Sequence, residues 1–100
     1  MFAIGDKEWP GISKLMEEAG EVLQVCGKLL ATAGKINHWD GTNLKERLED
    51  ELGDLQAALN FVVGWCGLDR DRIERRVIAK LTRFERWHEV GETNHKALEG

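Results

Sequence analysis

Tyrosine is absent from the chain, proline occurs once, cysteine twice, and no apolar run is long enough to cross a bilayer. A hundred residues of ordinary hydrophobic content with so little proline and no tyrosine make a single small domain. Cys26 and Cys66 show neither a CxxC spacing nor paired histidines. Each falls on a helical apolar stripe, which predicts buried, reduced thiols rather than a zinc site or a disulfide. The start "MFAIGDKEW" has neither the charged nor the apolar region of a signal peptide, so the expected location is cytoplasmic, with no membrane partner. An excess of basic charge is also missing. Fourteen lysines and arginines against eighteen acids give a net charge of −4, without the basic stripe of a nucleic-acid backbone binder. No nucleic-acid polymer is expected as a partner, and a nucleotide would need a metal to bridge the like charges.

Apolar residues recur with a helical period throughout, and no stretch alternates as a strand does. The expected fold is all-α, a helical hairpin plus a third helix. The first helix is predicted from Pro10 to about Ala33, where "AGKINHWDGTN" breaks the pattern. The second begins after Thr42 or Asn43, with Asn43 and Glu46 spaced as a capping box, and ends near Cys66 at "GLD". Asp71 and Glu74 suggest a cap for the third, whose stripe of Ile73, Val77, Leu81, Phe84 and His88 reaches about Glu89. Residues 1–90 read as one small domain and 91–100 as a flexible C-terminal tail. Apolar arcs this wide cannot all be covered within one copy. A homodimer or dimer of dimers is expected, with a four-helix-bundle-type core built on homo-oligomerisation.

Acids occur where the helices should be oily. On a wheel of about 100° per residue, Glu18 lies inside the apolar arc of the first helix, Glu21 at its edge and Glu17 toward solvent. The second helix repeats the pattern, with Glu51 and Asp54 within an arc formed by Leu44, Leu48, Leu55, Ala58, Leu59, Phe61, Val62 and Trp65. Inward carboxylates without partners cost several kcal/mol each. Two facing i, i+3 pairs supply the hard oxygen ligands of Mg²⁺ or Mn²⁺. Arg47 and Asp50 also lie near the second arc, so a salt-bridged structural core competes with the metal reading.

Glu17-Glu18-Ala19-Gly20-Glu21 followed by Glu51-Leu52-Gly53-Asp54 resembles the EExxE and ExxD motifs of the MazG-like all-α nucleoside triphosphate pyrophosphohydrolases. The similarity spans roughly residues 12–84. It implies that Glu18, Glu21, Glu51 and Asp54 hold Mg²⁺, with Mn²⁺ able to substitute, and that Glu17 supports them. "KLTRF" supplies Lys80 and Arg83 in an arrangement similar to the family's phosphate-binding Lys and Arg, although the His-Pro that often follows is missing. Lys80 stands out in any case, between Ile73 and Trp87 on the apolar side of its helix, where a snorkelling lysine is the plainer reading.

The implied activity is hydrolysis of a nucleoside triphosphate, a deoxynucleotide or a modified one, to monophosphate and pyrophosphate, in nucleotide pool control or house-cleaning. Glu21, at the edge of the arc, is the expected general base, with Glu17 its rival. Trp9, Asn37, His38 and Trp39 are the candidates to hold the base. The non-enzymatic alternative is a helical oligomeric interaction module with inward salt bridges to Arg47, Lys80 or a partner protein. A di-iron carboxylate bundle ranks third, since its Glu-x-x-His motif occurs only at Glu85–His88, near a helix end.

Overall fold

The computed structural model describes residues 4, 5 and 7–99, with side chains described up to residue 91. Three helices follow in order, α1 Ile12–Ala31, α2 Leu44–Trp65 and α3 Arg70–Glu99. The chain divides into two compact units, residues 1–68 and 69–100. The first unit is the expected hairpin, with α1 packed against α2.

α1 begins two residues after Pro10 because Gly11 caps it in the left-handed region, at φ 85°. Gly5 pairs with Pro10, and the Gly11 amide donates to the Ile4 carbonyl, so the segment before the helix folds back on its first turn. A Cβ at Gly11 would lie 2.5 Å from Cδ1 of Phe61 and 3.1 Å from Cγ2 of Val62, both on α2. Backbone conformation and close packing therefore both demand glycine here. Gly11→Ala is expected to lower stability by about 2–4 kcal/mol, combining left-handed strain with overpacking. Urea unfolding followed by circular dichroism measures it, and an unchanged midpoint would refute this packing.

At its other end α1 stops at Ala31, short of the predicted Ala33. Ala33 and Gly34 turn left-handed, at φ 57° and 81°, and the Gly34 amide bonds the Leu29 carbonyl at 2.8 Å. The following loop is held by His38 N–H to Thr42 O at 2.9 Å and Leu44 N–H to Ile36 O at 2.7 Å. Within it, the Thr42 hydroxyl and amide bring the Asp40 carboxyl down to about 2, with His38 a smaller contributor. A depressed acid stabilises the fold fully above its unfolded value of about 3.9 and loses that contribution as pH falls toward the folded value. Thr42→Val is expected to raise the Asp40 midpoint toward the ordinary range, as read by NMR titration of its carboxyl carbon.

Asn43 caps α2 as expected, its side chain accepting from the Glu46 amide at 3.1 Å. Gly67, at φ 61°, ends it. The cap of α3 is Asp69, whose Oδ1 accepts from the Arg72 amide at 3.0 Å, rather than Asp71. α3 also runs past Glu89 to Glu99, so residues 91–99 of the predicted tail are helical, and Gly100 lies outside the described residues. "GETNHKALE" contains no proline and several good helix formers, which permits the extension despite its low apolar content.

Val25, Leu44, Ala58 and Val62 are the buried apolar residues of the described chain. Cys66 is half-buried, its thiol 3.5 Å from the Pro10 carbonyl, but Cys26 is exposed, against expectation. Charge also departs from the sequence reading. Residues 70–86 hold seven lysines and arginines against three acids, so the acidic total conceals a cationic helix.

Candidate metal centre

The hairpin brings together the acids that the wheel had marked as misplaced. Glu18 on α1 and Glu51 on α2 are the buried charged residues of the described chain, at 7% and 5% exposure. Asp54, one turn beyond Glu51, is exposed, and Glu17 points to solvent as expected. Glu18, Glu51 and Asp54 can each offer a carboxylate oxygen within 4.8 Å of the other two. Glu21 stands outside that trio yet close to Glu51. The neighbouring Glu51 carboxylate, with smaller effects from desolvation, Glu18 and Glu17, holds its carboxyl above the usual range.

Each buried acid is half satisfied. Oε1 of Glu18 lies 3.3 Å from Lys14 Nζ, and Oε1 of Glu51 lies 2.8 Å from Arg47 Nε, both cations being one turn earlier on the same helix. Oε2 of Glu18 and Oε2 of Glu51 are buried with no hydrogen-bond partner. A bare, buried carboxylate oxygen is costly, and here two such atoms belong to one acidic trio. Three carboxylates, two of them with a buried oxygen that has no partner, suit Mg²⁺ or Mn²⁺, which bind a few carboxylates and complete their shell with water and phosphate.

A cleft of about 290 Å³ opens beside the trio. Lys14, Glu18 and Asp54 form its polar side, and Ile4, Gly11, Ala57, Ala58 and Phe61 its apolar side. Phe61 stacks on Trp65 with ring centroids 5.6 Å apart. Sequence reasoning missed Lys14, Ile4 and Phe61. Lys14 was legible as the residue four before Glu18, and Phe61 as the residue seven after Asp54, on the same side of α2. Nothing local signals Ile4, which reaches the cleft only because the N-terminal segment folds back.

None of the expected base-binding residues lines this cleft. Trp9 lies half exposed ahead of α1, while Asn37, His38 and Trp39 occupy the α1–α2 loop, Trp39 at 89% exposure. The His38 ring packs 5.4 Å from that of Trp39, and its Nδ1 lies 3.1 Å from Asp40. Lys80 and Arg83 belong to the second unit. Lys80 is half-buried in a surface hollow with Ile73, Arg76, Val77 and Phe84, as its place on the wheel requires. Comparisons of the chain with protein-family models, curated proteins and solved structures find no match.

Proposed function

We propose that this carboxylate cluster binds Mg²⁺ or Mn²⁺ and that the chain hydrolyses a nucleoside triphosphate to monophosphate and pyrophosphate. The observation that carries the reading is the pair of buried, unpartnered oxygens on Glu18 and Glu51 within one trio with Asp54. The EExxE and ExxD motifs supply the reaction class, by resemblance. When bound, the ion neutralises phosphate oxygens and activates water for in-line attack. Lys14 adds positive charge at the cleft, and Phe61 with Ile4 and Ala57 offers the base and ribose an apolar seat. Glu21, partly open to solvent beside Glu51, accepts the proton of the attacking water, with Glu17, one turn earlier in the motif, its rival. A role in pool control or house-cleaning in the cytoplasm fits this chemistry.

Self-association belongs to the same proposal. Met16, Leu23 and Leu30 repeat at seven residues on α1, with Ala19 and Cys26 between them, which is the spacing of a coiled-coil seam. In one copy they are 71%, 71% and 84% exposed. A second copy covering this seam would supply the core that four buried apolar residues do not.

The interaction-module reading also has an observation in its favour, because Arg47 and Lys14 already pair with the two buried acids. The products separate the two readings. Incubated with Mg²⁺ and triphosphates in H₂¹⁸O, the chain is expected to release monophosphate and pyrophosphate in equal amounts, with the label in the monophosphate. Orthophosphate and diphosphate as first products would overturn the reaction class, and an absence of metal-dependent turnover across common and modified triphosphates would favour the module.

A further inference from the structure

The charges of α3 are sorted by sector. At about 100° per residue, Arg72, Arg75, Arg76, Arg83 and Arg86 fall within an arc of about 100° with Ala79 at its centre. Asp71, Glu74, Glu85 and Glu89 lie outside that arc. The five arginines are exposed, and none joins an ion pair among the described residues. Arg72, Arg75 and Arg76 rim a shallow hollow of about 430 Å³ floored by Ala79, whose methyl leaves the space open. From Arg72 to Arg86 the stripe extends about 21 Å along the helix, at 1.5 Å per residue. Trp87 stands at its edge, 61% exposed, with Phe84 beyond it at a ring separation of 5.8 Å.

We propose that this stripe binds single-stranded nucleic acid. Arginine rather than lysine dominates it, and guanidinium groups grip phosphate oxygens in a bidentate fork. A line of five suits a chain of phosphates rather than an isolated one. The exposed aromatic edge gives unpaired bases a surface on which to stack, a contact that a duplex would leave unused. An anionic membrane fits less well. With its apolar side inserted, α3 would press the acidic sector of Glu74 and Glu85 against lipid headgroups as well as the basic one. An acidic surface on a second copy would match the charge but leave the aromatic edge without a role.

The test is fluorescence anisotropy of labelled 20-nucleotide DNA and RNA strands with the full chain, in EDTA so that the carboxylate cluster takes no part. Binding is expected at 50 mM salt, with log K falling against log salt at a slope of about −3.5 for five neutralised phosphates. The triple variant Arg72→Gln, Arg75→Gln, Arg76→Gln should bind at least about tenfold more weakly and reduce the slope by about 2. The corresponding triple lysine variant should keep the slope, and circular dichroism checks that both remain helical. Trp87→Ala should weaken single-strand binding about tenfold and leave duplex binding unmoved. No strand binding at 50 mM salt, equal binding by the glutamine variant, or capture of anionic vesicles without capture of strands would overturn the assignment.

Discussion

Replacing Glu51 with glutamine is expected to reduce metal-dependent pyrophosphate release about a thousandfold, on the order of 4 kcal/mol at the transition state. Glu51 is the most buried acid of the cluster and the one that Glu21 faces. Its amide keeps the shape but removes the ligand's negative charge and turns one acceptor oxygen into a donor. The folded state should tolerate the change. Glutamine relieves repulsion with Glu18, Glu21 and Asp54, and the lost partner, Arg47, is 45% exposed, so that its ion pair contributes at most about 1 kcal/mol. Without metal, the unfolding free energy from urea titration should therefore stay within about 1 kcal/mol of the parent. If the acids instead serve only to hold the hairpin through salt bridges, the pattern reverses. Glu51→Gln would then cost stability, and no metal-dependent activity would exist to be lost.

Leu23→Glu is expected to turn a self-associated species into a monomer. Leu23 is the middle of the three exposed seam positions, and a charge there would be desolvated on both copies. The dissociation constant should rise at least about a hundredfold, equivalent to roughly 2.7 kcal/mol. Gln24→Glu, one residue on and off the seam, is the control and should leave the mass unchanged. Sedimentation velocity at micromolar concentration reads both. A parent chain that already sediments as a monomer would contradict the seam.

The features legible in the sequence were those encoded locally. Asn43 and Glu46 marked the start of α2, and the angular displacement of Glu18 and Glu51 from the polar face announced the acids that the hairpin buries. Asp54 was assigned to the same arc but remains exposed, because one copy of the hairpin covers only part of that arc. What escaped notice depends on the backbone or on contacts distant in sequence. Gly11 sets the start of α1 through a left-handed turn that the helical period does not register. Ile4 enters the cleft through a bridge between Gly5 and Pro10. Asp69 outcompeted Asp71 as a cap because "GLD" ends one helix and begins the next, leaving the earlier aspartate at the junction. The arginine stripe was hidden by averaging, since eleven acids in residues 1–68 outweigh the basic excess of α3.

Divalent-ion binding by the purified chain tests the central claim most directly. Titration with Mn²⁺, followed through the electron paramagnetic resonance of the free ion, should show saturable binding that Mg²⁺ competes away. Glu18→Gln, Glu51→Gln and Asp54→Asn should each abolish it, whereas Glu49→Gln, on an exposed part of α2, should not. Affinity should weaken as pH falls, because Glu21, whose carboxyl Glu51 holds high, takes up its proton before an ordinary glutamate would. Absence of saturable binding, or binding of equal strength by the Glu18 and Glu51 variants, would contradict the account.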